Sequence, residues 1–279
     1  MPGRGRRRVR AGHGLPPIFR WHGGCHPSRM DIASSIAASR LVAQSRALDV
    51  IANNIANADT SGYQAQRTQF ADWLVPQDQA HTPPGGRVLA YTQDRATWRE
   101  TAPGPLRHTG NPLDLAIAGG GGYFTVRTKA GPRLTRDGRF GLMPDGTIAD
   151  AAGHPLLDTA GQPLHVGTTD TGLTVAADGT LSSSTRRIGR IGVVRPKDPL
   201  ALRAEGGTLL VANTPTSPVK APGIVQGAVE GSNVQPIGEI TRMIDTSRQF
   251  QFVAQFVQAE STRKKTAIDK LLPPPASVP

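Results

Sequence analysis

The sequence predicts a mainly β protein with flanking α: an antiparallel, β-rich central domain bracketed by long N- and C-terminal helices of coiled-coil type. Three observations predict it. Apolar residues recur at spacings of three and four near both ends of the chain, the signature of a helix face. In the middle, Asp137-Gly138, Asp145-Gly146 and Asp178-Gly179 read as hairpin turns between short apolar runs. Finally, 32 Gly, 24 Pro and an apolar fraction of 37% suit a turn-rich sheet region joined to elements that bury little by themselves. The expected divisions are a basic extension over 1–29, an axial helix over 30–62, a β-rich domain over 63–231, and an axial helix with a Pro-rich tail over 232–279.

The first segment accounts for most of the net charge of +11. Arg4, Arg6, Arg7, Arg8, Arg10, Arg20 and Arg29 fall in it without any Asp or Glu, so the remaining sequence is close to balanced. A charge confined to a tail argues against a nucleic-acid-binding body. The tail lacks the apolar stretch of about 7–15 residues that a Sec signal needs. It reads as a basic arm, a disordered extension, or upstream sequence that is not translated. The last is favoured because Met30 stands where periodic sequence begins. The single cysteine, Cys25, lies in the tail, leaving the body without a disulfide or thiol nucleophile. With His22 and His26 it makes only a weak metal motif.

From Asp31 to about Asn57 the stripe Ile32, Ile36, Ser39, Ala43, Ala47, Val50, Asn54 and Asn57 is thin and mostly small, which suits a narrow helix–helix contact. Asp59-Thr60-Ser61-Gly62 stops the helix, with Gly62 free to adopt a positive φ. The asparagines Asn53, Asn54 and Asn57 are unexpected there, since the Asn amide competes for backbone hydrogen bonds. Either they are buried along a helix–helix contact, where Asn costs stability but fixes register, or they merely cap a frayed end.

Gln64 to Gly231 reads as strand and turn, with Tyr123–Val126, Thr147-Ile148 and Gly192–Val194 as apolar runs and Val75 to Gly86 as an exposed loop. In the last zone Ile240, Met243, Ser247, Phe250, Ala254, Val257, Ser261, Lys264, Ile268 and Leu271 form a heptad stripe ended by Pro273-Pro274-Pro275. Neither long helix can bury its stripe alone. The candidate subunit-interface residues are therefore Val50, Asn53, Asn54 and Asn57 in the first helix, and Ile240, Met243, Ser247, Phe250, Ala254, Val257, Ser261 and Ile268 in the last.

Three blocks, LDVIANNIANADTSGYQ, LDLAIAGGGGYFTV with LTRDGRFGLMPDGTI, and VQGAVEGSNVQPIGEITRMIDTSRQFQ, resemble the signature blocks of bacterial flagellar rod and hook proteins in order. Together they span most of residues 30–272. TQDRATWRETAPGPLRHTGNPLDLAI is most similar to the proximal-rod members, with the distal-rod members close behind. The resemblance implies a structural subunit of the basal body, exported unfolded by the flagellar type III apparatus without a cleaved Sec signal. It would assemble with copies of itself and with other rod and hook axial proteins, terminal helices forming the inner tube. It implies no cofactor, nucleic acid or membrane insertion. Two departures stand out: residues 1–29 have no counterpart, and Gln235-Pro236 replaces Asn-rich sequence, which makes Pro236 the expected helix start.

No catalytic constellation emerges. Gly119 to Gly122 lacks the Lys-Ser/Thr of a phosphate loop and leads into a strand. No Gly-x-Ser-x-Gly elbow is present. Asp114, Asp137, Asp145 and Asp178 look like turn carboxylates, and His81, His108, His154 and His165 have no metal-ligand spacing. The competing class is a monomeric β-rich module that binds carbohydrate or peptide.

Overall fold

The computed structural model describes residues 29–76, 88–119 and 122–271. Two helices, α1 (Arg29–Ala56) and α2 (Pro236–Leu271), enclose a chain of antiparallel strands. At 1.5 Å per residue they are roughly 42 and 54 Å long. They run antiparallel: Asn54 near the end of α1 meets Glu239 near the start of α2, and Lys264 Nζ donates to Ser34 Oγ at 3.3 Å at the far end.

Each helix boundary has a local cause. Gly62, with φ of 67°, turns the chain out of α1, and its N–H donates to the Glu230 carbonyl at 2.8 Å. A Cβ at Gly62 would sit 2.2 Å from the Arg136 backbone, so the close approach itself requires glycine. Pro236 opens α2, where its missing N–H costs nothing. Glu239 follows in the first turn, where the helix dipole favours a carboxylate.

After α1 comes a two-stranded ribbon of β1 (Gln66–Pro76) and β2 (Val88–Arg99), with a register irregularity between Gln69 and Phe70. The body follows. Its main sheet has six antiparallel strands in the spatial order Leu202–Gly206, Leu209–Ala212, Gly131–Thr135, Tyr123–Thr128, Val193–Pro196 and Thr216–Pro218. A three-stranded sheet, smaller antiparallel pairs and single bridges complete the body. The strand Tyr123–Thr128 explains how the layers are organised, because alternate side chains face opposite sides. Phe124 and Val126 enter the main core with Leu115, Phe140, Leu156 and Leu181, whereas Tyr123 joins Leu134, Leu202 and Leu210. Leu115–Ile117 pairs with Ile224–Gln226, and Leu106–His108 with Ala228–Glu230, so the segments leading into and out of the body close side by side.

Two local expectations change. Asp145-Gly146 and Asp178-Gly179 sit in turns, with Gly146 at φ 85° and Gly179 at φ 90°. Asp137-Gly138 does not form a hairpin: Gly131–Thr135 and Phe140–Leu142 belong to different sheets. Its glycine instead lets two backbones touch, since a Cβ at Gly138 would lie 1.6 Å from the Leu115 carbonyl oxygen. Val75 and Pro76, read as loop, pair with Leu89 and Val88 at the far end of the ribbon. The rest of that loop lies outside the described residues. So do 1–28, with His22, Cys25 and His26, along with His81, Gly120, Gly121 and Pro273 to Pro275.

Candidate assembly site where the chain ends meet

The asparagines at the end of α1 divide into distinct roles. Asn54 is 0% exposed. Its Oδ1 accepts from Gln66 N at 2.8 Å and from the Tyr63 hydroxyl at 3.2 Å. Its Nδ2 donates to Gln66 O at 2.9 Å and to Glu239 Oε2 at 3.2 Å. The side chain thus stands in for a neighbouring strand, satisfying both backbone groups of Gln66 at the start of β1. Asn54 is thus buried where α1 meets both the strand start and the first turn of α2.

Asn57 is a cap. Its Nδ2 donates to Asn53 O at 2.8 Å, and its Oδ1 accepts from Thr60 Oγ1 at 3.1 Å. Asn53 is exposed but accepts from the Tyr63 hydroxyl at 2.8 Å. Burial pushes the Tyr63 hydroxyl above its ordinary pKa, which keeps it protonated and able to donate.

Across the joint, Arg67 Nη1 donates to Glu239 Oε1, and Arg67 Nε and Nη2 reach Glu100 Oε2 at 3.2 and 3.0 Å. Burial works to lower the Arg67 pKa, but hydrogen bonding and charge from Glu239 and Glu100 carry it above the ordinary value. Arg242 Nη1 adds a 3.3 Å contact to Glu239. A second buried pair ties the joint to the body: Arg136 Nη1 donates to Glu230 Oε2 at 2.7 Å, with the guanidinium carbon 5.0 Å from the centre of the Tyr123 ring. Sequence reasoning passed over Arg67, Arg136, Glu230 and Glu239, because nothing in their local spacing shows that the chain ends meet.

The stripes are placed as follows. On α1 the buried face comprises Ala37, Ala43, Gln44, Ala47, Ile51 and Asn54. Val50 lies half-buried at its edge, in a groove of about 260 Å³ shared with Arg67, Glu239 and Arg242. On α2, Met243, Ser247, Phe250, Ala254 and Val257 are half-buried, whereas Ile240, Ser261 and Ile268 are exposed. Around the helix from that stripe, Phe252 is 73% and Phe256 47% exposed. Phe252 lies two positions after Phe250, about 200° of rotation, so α2 carries apolar side chains on both sides.

The features considered for chemistry are structural. Asp145 and Asp178 accept from the N–H groups of Thr147 and Thr180 at 2.9 and 3.0 Å, closing their own turns. His154 Nδ1 lies 2.9 Å from Asp150 Oδ2, its neighbour across a turn. Gly122 is packed tightly, since a Cβ there would meet Val193 Cγ1 at 2.8 Å. Among the described residues no three His, Cys, Asp or Glu converge as a metal site, and no helix is long and apolar enough to cross a membrane.

Three family descriptions match along the chain: "Flagella basal body rod protein" at residues 29–64, "Flagellar hook protein FlgE/F/G D1 domain" at 116–183, and "Flagellar basal body rod FlgEFG protein C-terminal" at 225–270. The first and last cover the asparagine end of α1 and nearly all of α2. Flagellar basal-body rod protein FlgF of Caulobacter vibrioides is 37% identical over 247 residues, covering 87% of this chain and 98% of that protein. FlgF of Mesorhizobium japonicum is 34% identical, covering 85% and 96%. FlgG of Agrobacterium fabrum is 31% identical, covering 81% and 94%. The chain therefore belongs to the flagellar basal-body rod proteins, of FlgF type, and is a structural proximal-rod subunit rather than an enzyme.

Proposed function

We propose that this subunit enters the rod as one stave of a helical tube, with the α1–α2 pair facing its neighbours and the β body outside. The carrying observation is the unpartnered face of α2. Phe252 and Phe256 are large, exposed and lie on the side away from the half-buried stripe. Apolar surface of this kind marks a contact with another chain. Ile237 at 82% and Ile244 at 47% exposure extend it toward the start of the helix, and Val42 at 54% adds a position on α1.

In this reading Met243, Ser247, Phe250, Ala254 and Val257 hold the pair together in coiled-coil fashion, while Ile240, Ser261 and Ile268 remain available to neighbours along with Val50 and Asn53. The neighbours are copies of this chain and other rod and hook axial proteins, a reading supported by the kinship with FlgF, FlgG and hook-type domains. In this reading the chain divides at about residues 1–29, 30–62, 63–231 and 232–279, a division that the helix–strands–helix order supports. Export through the flagellar type III apparatus, without a cleaved signal, completes the proposal and rests on family membership.

The test uses Phe252→Asp with Phe256→Asp. The purified monomer should melt as the parent does, because neither side chain is buried in it. In a strain lacking this gene the variant should fail to restore swimming. Full swimming with this doubly charged face would overturn the stave arrangement.

A further inference from the structure

We infer that Glu239 and Asn54 form a two-ended clasp, which makes order at the end of α1 conditional on the first turn of α2. Glu239 is 2% exposed and is the only buried residue of α2. A buried carboxylate is tolerated only when paired and hydrogen-bonded, and here its partners come from different stretches of chain. Asn54 on α1 supplies Nδ2, Arg67 on β1 supplies Nη1, and Arg242 supplies a weaker contact from the next turn of α2.

The strand start between them is held from both sides by side chains. Asn54 takes both backbone groups of Gln66, and Asn233, from the linker into α2, accepts from Ala65 N at 2.7 Å. Asn233 Nδ2 then donates to Glu100 O and Ala102 O, each at 2.9 Å, beyond the end of β2. Without residues 233–239 the Ala65 N–H loses its acceptor, Arg67 loses one of its two carboxylates, and the Asn54 amide loses one of its two acceptors. Losing the shared carboxylate therefore weakens the hold on α1 and on the strand start together, because the bonds of one network reinforce one another. α1 has little of its own to fall back on, because half of its buried face is alanine and most helical stability in proteins comes from tertiary packing. The joint therefore works as a conditional lock: the helix that begins the chain docks only once the start of the last helix is in place. This inference concerns the single chain and does not rest on the stave reading.

The experiment is amide hydrogen exchange on the full-length protein, comparing parent, Glu239→Gln, Asn54→Ala and the double variant. Glu239→Gln keeps the size of the side chain and removes its charge. Each single substitution should speed exchange at least tenfold in both 47–56 and 236–246, leaving 115–230 protected as before. The double variant should exchange no faster than the faster single one. Effects confined to the substituted helix, or effects that multiply in the double variant, would overturn the coupling. Loss of protection in 115–230 would overturn it too, since the joint would then support the body rather than the helix ends.

Discussion

The β body and the helix pair bury themselves to very different degrees. In the body, Phe124, Val126, Leu156 and Leu181 are each 0% exposed and belong to one continuous core. In α2, across 36 residues, the sole buried residue is a glutamate. The body closes its core with its own strands, so its stability is internal. The helices cover one narrow face with each other and leave another open. The difference teaches that buried polar groups concentrate where the two ends meet the body, while large apolar side chains of α2 such as Phe252 and Phe256 stay exposed.

The largest expected effect tests whether the body stands by itself. Phe124 packs edge-to-face on Phe140, with ring centres 5.4 Å apart and planes at 88°. Phe124→Ala should cost about 3–5 kcal/mol and lower the melting temperature of the monomer by on the order of 10 °C. The same truncation at half-buried Phe250 should shift it by only a small part of that, because the parent helix pair encloses Phe250 incompletely. Calorimetry on the two variants decides it. Equal shifts would mean the helix pair is as much a part of the folded core as the sheets are.

Next in size is the pair of buried charges at the edge of the body, where the Glu230 carbonyl also accepts from Gly62 N. Arg136 and Glu230 have side chains 1% and 3% exposed. Arg136→Met strands a buried carboxylate and should cost about 3 kcal/mol, the low end for such a loss. One Glu230 oxygen keeps the Gly104 N–H at 3.0 Å, which limits the damage. Adding Glu230→Leu should recover much of the loss, since an apolar pair leaves no uncompensated charge. By contrast, removing the exposed Arg263 side chain from its contact with Glu260 on α2 should change stability by less than about 1 kcal/mol. Thermal melts followed by circular dichroism compare the three variants. A larger effect from Arg263 than from Arg136 would reverse the ranking of the two regions.

The difference between the regions also sets what the sequence could reveal. The helices were legible because their periodicity is local: Pro236 opens α2 and Gly62 closes the turn after α1, as turn and cap chemistry requires. Asp145-Gly146 and Asp178-Gly179 were legible for the same reason. Asp137-Gly138 misled because a glycine needed for close contact with Leu115 looks the same in sequence as one needed for a turn. The face of α1 was displaced by one position in part, with Ile51 buried where Val50 was expected, because stripes through 50 and 51 both fit spacings of three and four. The joint was illegible. Asn54 with Glu239 and Arg136 with Glu230 are contacts 185 and 94 residues apart, and no local pattern in the chain announces them.

The smallest expected effect separates the asparagines themselves. Asn57 lies next to Asn53 and Asn54 in the same motif, yet its hydrogen bonds stay within the turn that ends α1. Asn57→Ala gives up contacts that water can replace, because the Asn57–Asn53 bonds are exposed, so the cost should be about 0.5–1.5 kcal/mol. Asn54→Ala removes a side chain that is 0% exposed and leaves both Gln66 backbone groups without it, which carries the larger penalty of unsatisfied buried groups. In melts of the two single variants Asn54→Ala should be clearly the less stable, and Asn57→Ala should keep swimming close to the parent level. If Asn57→Ala abolishes swimming while its melt is unchanged, that amide contacts a neighbouring subunit, and its role as a cap within the chain is secondary.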